Sequence, residues 1–186
     1  MKPLPRSFFA RNTVTVAREL IGKIIFINGM QARIVETEAY GRDPASHAFK
    51  KTERSKIMYD TYGHIYVYLI YGMYDCLNVT TEKNDAGAVL LRAVEPLTGI
   101  SRMQRNRQVD TITELCSGPG KLCQALGITR KLNGLKVGNQ VRIYDDGYTV
   151  GRIGRSSRIG IQDALHLQWR FFVEGNEYVS KVKINK

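Results

Sequence analysis

Asn28-Gly29 stands between two runs of β-forming residues, 23–27 and 30–40. Both residues tolerate positive φ, which a two-residue turn requires, so the dipeptide is a strong short-range hairpin signal. It commits the first part of the chain to antiparallel pairing. Before it, a helix capped by Asn12 or Thr13 is expected to run to about Leu20 and stop at Gly22. Further strands are expected over 65–70, 76–80 and 88–94, with Tyr71-Gly-Met-Tyr-Asp75 as a hairpin tip. Pro96 is expected to open a basic helix bearing Arg102, Arg105 and Arg107. Ser117-Gly-Pro-Gly leads into a helix over 121–126, stopped by Gly127. The last third reads as short strands (140–144, 158–161, 169–173, 178–182) separated by turns. Residues 41–62 are polar, basic and turn-rich, and read as a long loop with one helical turn. Loops of that length inside a compact domain are usually functional. Strands and helices mix without regular βαβ spacing. The expected class is therefore α+β: one domain over residues 1–186, with a mostly antiparallel curved β-sheet, flanking helices and a protruding β-hairpin.

Twenty-eight Lys and Arg against seventeen Asp and Glu leave a formal charge of +11. A surplus that large on one small domain favours a polyanionic partner, with nucleic acid the leading candidate. No stretch approaches the ~20 apolar residues that span a bilayer. The basic start also lacks an apolar h-region. No membrane partner and no export are expected, and the chain is placed in the cytoplasm with the nucleoid. Cys76, Cys116 and Cys123 form no Cys-x-x-Cys pair, and His47, His64 and His166 are scattered. Neither a disulfide framework nor a metal site is expected.

Some residues do not fit a purely structural account. In Ile34-Val-Glu-Thr-Glu-Ala-Tyr40, strand alternation puts Ile34, Glu36, Glu38 and Tyr40 on one face. Glu36 is expected on an exposed sheet face, paired with a surface Lys or Arg. Glu38, beside Tyr40 and just before the long loop, has either that same paired role or a site role, since a carboxylate at a strand end can serve as general base to a water. Arg92 interrupts the apolar run 88–94. A buried guanidinium must be paired or its desolvation costs several kcal/mol. Glu38 and Glu36 are the candidate partners, and an exposed edge is the other way to accommodate it. Tyr59, Tyr62, Tyr66, Tyr68, Tyr71 and Tyr74 fall within sixteen positions. Some of them belong to ordinary aromatic packing. Tyrosines beside a basic surface also stack unpaired bases, at ~1–3 kcal/mol each, and an aromatic on a hairpin tip can wedge into a base step. Together these fit an enzyme that extracts a base and hydrolyses at its sugar bond. A non-catalytic basic module that binds distorted or single-stranded nucleic acid would share most of the pattern, and a ribosome-associated basic protein some of it.

Five blocks carry a resemblance over residues 3–182: Ile34-Val-Glu-Thr-Glu-Ala-Tyr40, Tyr66-Val-Tyr-Leu-Ile-Tyr-Gly-Met-Tyr74, Leu90-Leu-Arg-Ala-Val-Glu-Pro96, Ser117-Gly-Pro-Gly-Lys-Leu-Cys-Gln-Ala-Leu126 and Arg158-Ile-Gly-Ile161. In that order they resemble the alkyladenine (3-methyladenine) DNA glycosylase family. The resemblance implies a monofunctional glycosylase that excises alkylated and deaminated purines from double-stranded DNA, needs no cofactor, and leaves an abasic site for base excision repair. Glu38 matches the general base, Arg92 the arginine that helps position the attacking water, and the Ile159 backbone carbonyl a third water contact. Tyr40, His47 and Tyr68 match the slot that sandwiches the flipped base. Asn78 matches the residue that crowds the 2-amino group of guanine. Tyr71 matches the intercalating residue, with Met73 beside it. Lys50, Lys51, Arg54, Lys56 and Lys121 are expected to contact phosphates. No lysine is placed for a Schiff-base lyase step. One small domain acting on a duplex is expected to work as a monomer.

Overall fold

In a computed structural model that describes residues 1–181, nine strands form one antiparallel sheet. They are β1 (Lys2–Pro3), β2 (Ile24–Ile27), β3 (Met30–Tyr40), β4 (Ile65–Ile70), β5 (Tyr74–Thr81), β6 (Gly87–Thr98), β7 (Arg142–Asp145), β8 (Ile153–Ser156) and β9 (Arg170–Val173). Asn28 and Gly29 adopt φ of 53° and 75° and close the β2–β3 hairpin, with Ile27 opposite Met30. The order along the sheet is β1-β7-β2-β3-β6-β5-β4. The long β3 forks it: its first half pairs with β2 and its second half with β9, while β6 lines its other edge.

Helices α1 (Thr13–Leu20), α2 (Lys56–Asp60), α3 (Ile100–Arg107), α4 (Ile112–Leu115) and α5 (Pro119–Leu126) flank the sheet, which curls into a half-barrel. Asn12 caps α1, its side chain accepting from the amides of Val14 at 3.1 Å and Thr15 at 3.2 Å. Pro119 starts α5 and Gly127, at φ 66°, ends it. The main core joins Val16, Ala17 and Leu20 of α1 and Leu122, Ala125 and Leu126 of α5 to the sheet. A smaller cluster (Ala48, Met58, Tyr66, Ala86, Ala88) lies beneath the 41–62 segment. Tyr40 and Tyr68 pack against it, so this second core is also the footing of the aromatic residues.

Two register shifts between β3 and β6 decide where the charged residues point. Val35 has no partner between Ile34, which faces Val94, and Glu36, which faces Ala93. Arg92 is skipped between Ala93 and Leu91, which faces Thr37. Such bulges add local bend and twist to a strand. They also reverse the alternation. Ile34 and Ala39 enter the main core, and Thr37 donates to the Ala17 carbonyl at 2.8 Å. Glu36, Glu38 and Tyr40 face the other way. The expectation that Ile34 shares their face therefore fails, because strict period-two alternation does not survive the extra residue.

Other elements also depart from the sequence reading. β6 continues through Pro96 to Thr98, so the following helix begins only at Ile100. Pro96 sits beside another register shift, between Gln31 and Ala32, where a missing N–H disturbs the ladder least. Residues 158–161 are a turn, with Gly160 at φ 75°, and the strand of that region is β8. Glu177 and Tyr178 also form a turn, and the expected strand end at Val182 lies outside the described residues. The 41–62 segment holds a 3-10 turn, His47–Phe49, as well as α2.

Candidate active site

Glu36 and Glu38, two positions apart on β3, are both fully buried. Arg92 of β6 joins them: its Nε donates to Glu36 Oε1 at 3.2 Å and its Nη1 to Glu38 Oε2 at 3.3 Å. Burial works to lower the pKa of this guanidinium, but the Glu38 and Glu36 carboxylates outweigh it and the net shift is upward. Arg92 thus stays cationic inside the fold.

The two carboxylates differ in their remaining contacts. Glu36 also accepts from Arg170 Nε at 2.6 Å and from the Ser180 amide and hydroxyl at 2.8 Å each. It is therefore not the exposed, surface-paired residue expected from the sequence; the bulge turns it inward, where two arginines and Ser180 saturate it. Glu38 accepts from the Tyr40 hydroxyl at 2.8 Å, Arg92 at 3.3 Å and the Ile159 amide at 2.7 Å. Among the described residues, Tyr40 and Arg92 share Oε2, and Ile159 alone takes Oε1. A carboxylate has about four lone-pair sites, so one acceptor position on Oε1 remains for a further donor. Every group bonded to Glu38 is a donor, which matches the anion.

Tyr40, Arg92 and Ile159 line a cleft of about 820 Å³, and Glu38 lies one side chain beneath its surface. His47, Tyr68 and Asn78 line the same cleft. His47 meets Tyr68 edge-on, with centroids 4.7 Å apart, and its Nδ1 pairs with the Tyr66 hydroxyl at 2.9 Å. Burial, and then the nearby Arg54 cation, lower the His47 pKa, so the imidazole is neutral at neutral pH. Burial raises the pKa of Tyr40, helped by the Glu38 charge, and burial also raises that of Tyr68. Both remain phenols, and Tyr40 keeps the proton it donates to Glu38. Asn78 is pinned by its own amide, which donates to the Tyr66 and Cys76 carbonyls at 3.1 and 3.2 Å. A larger hollow of about 960 Å³, near α1 and Trp169, shares no lining residue with this cleft and holds none of the residues above.

The β4–β5 tip stands at the cleft mouth. Tyr71 is 78% exposed and Met73 66% exposed, and Tyr71 takes a left-handed φ of 54° ahead of Gly72 at 70°. Of the five residues expected to contact phosphates, Lys121 and Arg54 line the cleft. Arg54 is engaged there, its guanidinium 5.0 Å from the Tyr68 ring centre and donating to the Leu69 carbonyl at 3.2 Å. Lys50, Lys51 and Lys56 are exposed outside the lining, and Lys51 is paired with Asp60 at 2.7 Å.

Four residues of this region escaped the sequence reading: Asp43, Arg158, Arg170 and Ser180. Arg170 opens β9 between Trp169 and Phe171, a charge set among apolar residues as Arg92 is within β6, so a similar signal marks it. Arg158 belongs to the Arg-Ile-Gly-Ile block, and nothing in the sequence points to its partner Asp43.

A buried carboxylate ringed by donors thus lies beside a cleft lined by aromatic side chains in a strongly basic domain. The family profile described as methylpurine-DNA glycosylase matches residues 7–177. A protein of Clostridium novyi (strain NT) is 43% identical over 200 residues, spanning 97% of this chain and 100% of its own. One of Agrobacterium fabrum is 44% identical over 180 residues, spanning 96% and 92%. One of Methanoculleus marisnigri is 44% identical over 189 residues, spanning 96% and 98%. All three are assigned by name to the 3-methyladenine DNA glycosylases. The chain belongs to the methylpurine-DNA glycosylase family.

Proposed function

We propose that the protein flips alkylated or deaminated purines out of duplex DNA and hydrolyses their N-glycosidic bond with a water activated by Glu38. The observation that carries this reading is the fully buried Glu38 carboxylate, held by Tyr40, Arg92 and Ile159, which line an aromatic cleft.

Breaking the bond leaves positive charge on the sugar, as in glycoside hydrolysis generally. Glu38 would stabilise that charge and accept a proton from water attacking C1′. The open position on Oε1 offers that water its acceptor, and Arg92 and the Ile159 backbone carbonyl would complete its seat. Base extrusion is cheaper for damaged pairs, which are weakly held. A 3-methyl or 7-methyl purine is cationic, so the faces of Tyr40 and Tyr68 attract it by ~0.5–2 kcal/mol, while Asn78 crowds the edge that bears the 2-amino group of guanine.

Outside the cleft, Tyr71 and Met73 would fill the vacated stack. Lys50, Lys51, Lys56 and Lys121 would meet phosphates, with Arg54 at the rim. All these groups lie on one chain, which suits a monomer acting on duplex DNA in the cytoplasm.

The test is a duplex carrying one modified purine, incubated with protein and then treated with alkali. Breaks at the lesion that require the alkali step support hydrolysis to an abasic site. Breaks without alkali would instead indicate a lyase, with Lys121 in the cleft the first suspect. Lesion binding with no released base would indicate a recognition module.

A further inference from the structure

Arg158 and Asp43 form a buried bidentate pair behind the cleft. Arg158 Nη2 donates to Asp43 Oδ1 at 2.6 Å and Nη1 to Oδ2 at 3.0 Å. Nη1 also donates to the carbonyl of Ala39, next to Glu38, at 3.1 Å. The guanidinium lies between aromatic faces, 4.7 Å from the Tyr40 ring centre and 5.3 Å from that of Trp169.

Each partner organises a different piece of the site. Asp43 Oδ1 accepts the Ala45 amide at 3.0 Å, and the Asp43 carbonyl accepts the Ser46 amide at 3.0 Å. The Ser46 hydroxyl then accepts the Ala48 amide at 3.0 Å, which opens the turn that carries His47. Arg158 immediately precedes Ile159, whose amide holds Glu38. One ion pair thus reaches the strand of the carboxylate, the loop of the base slot and the turn that grips the carboxylate.

Stability alone is a poor reason for such a pair. Burying two ions costs several kcal/mol each, and well-packed apolar residues often do as well or better. Among the described residues, Arg158 Nε is also buried without an acceptor. What apolar residues cannot supply is fork geometry, which fixes two backbone segments at a set distance and angle.

We propose that Arg158 and Asp43 are positioning residues for base excision, locking the Ile159 amide on Glu38 and the His47 turn beside Tyr40 as one rigid unit. This rests on the hydrolytic reading of Glu38 given above. The pair touches neither the β4–β5 tip nor the exposed lysines, so its loss should slow the chemical step far more than it weakens DNA binding.

The experiment compares wild type with Asp43→Asn, Asp43→Glu and Arg158→Lys on a lesion duplex. It measures the dissociation constant, the single-turnover rate of base release, and the folded fraction from urea unfolding. Asp43→Glu and Arg158→Lys keep the charges and so guard against simple unfolding. The expected result is binding close to wild type with base release slower by about 10²-fold, the scale for a misplacement of about 1 Å. Folded variants that cleave at the wild-type rate, or that lose binding and cleavage in equal proportion, would overturn the proposal alone. A wild-type protein that releases no base from any lesion would overturn the glycosylase reading and the clamp with it.

Discussion

The Ile159 amide donates to Glu38 Oε1 at 2.7 Å, although 121 positions separate the two residues. This contact brings a turn near the end of the chain onto the central strand, and it orients a carboxylate that Arg92 and Tyr40 hold from the other oxygen. The neighbouring acid has a different task. Glu36 ties β3 to β6, β9 and Ser180, and bonds neither Tyr40 nor Ile159.

Glu36→Ala should therefore damage the fold. It leaves the Arg92 and Arg170 guanidinium groups short of a buried counter-charge. Breaking one side of a buried ion pair costs about 3–5 kcal/mol, readable as a lower urea midpoint at unchanged slope. A loss no larger than that of an ordinary surface substitution would show that Glu36 is not the anchor described here.

The hairpin tip should show the reverse. Tyr71→Ala removes an exposed side chain, and exposed sites usually change stability by no more than about 0.5 kcal/mol. Binding and excision of a flipped lesion should weaken nonetheless, because the vacated stack loses its filler. Unchanged affinity for lesion duplex in Tyr71→Ala and Met73→Ala would remove the tip from the interface.

His47 makes a pH prediction with a definite sign. Its folded pKa lies below the usual 6.5, first through burial and then through Arg54. Below pH 6.5 the unfolded chain binds protons that the native state refuses, so unfolding becomes easier as pH falls from 6.5 toward the lowered value. His64 shifts the same way, through burial first. His47→Asn should flatten part of this slope in denaturant titrations across the window. An identical slope in the variant would show that His47 does not contribute to it.

The proposed phosphate contacts predict a salt signature. Log affinity should fall linearly with log salt, with a slope that reports the number of phosphates neutralised. Lys121→Ala should reduce that slope by about 1 and weaken damaged and undamaged duplex alike. A lesion-specific effect of Lys121→Ala would place its contact inside the base pocket instead.

The sequence made Glu38, Arg92 and the tyrosines visible for one physical reason. Charge in an apolar strand and aromatics crowded on a hairpin are anomalies against a simple core. The same logic, applied to Arg170 in β9, would have shown a second buried cation. Three features were harder to see. The β3 bulge depends on how two strands meet, so Ile34 could not be separated from Glu36 by alternation. Pro96 reads locally as a helix start, yet β6 runs through it beside an irregularity. Asp43 and Arg158 meet across 115 positions, and a charged residue in a polar loop or turn gives no local sign that it is buried.

The central claim is that the Glu38 carboxylate activates water at the sugar of an everted purine. The most direct measurement is the single-turnover rate of base release by Glu38→Gln on a duplex bearing one alkylated purine, with binding measured in parallel. The account predicts retained binding and a rate lower by about 10²–10⁴-fold, the usual worth of a general base. A Glu38→Gln protein that binds and releases the base at the wild-type rate would contradict it.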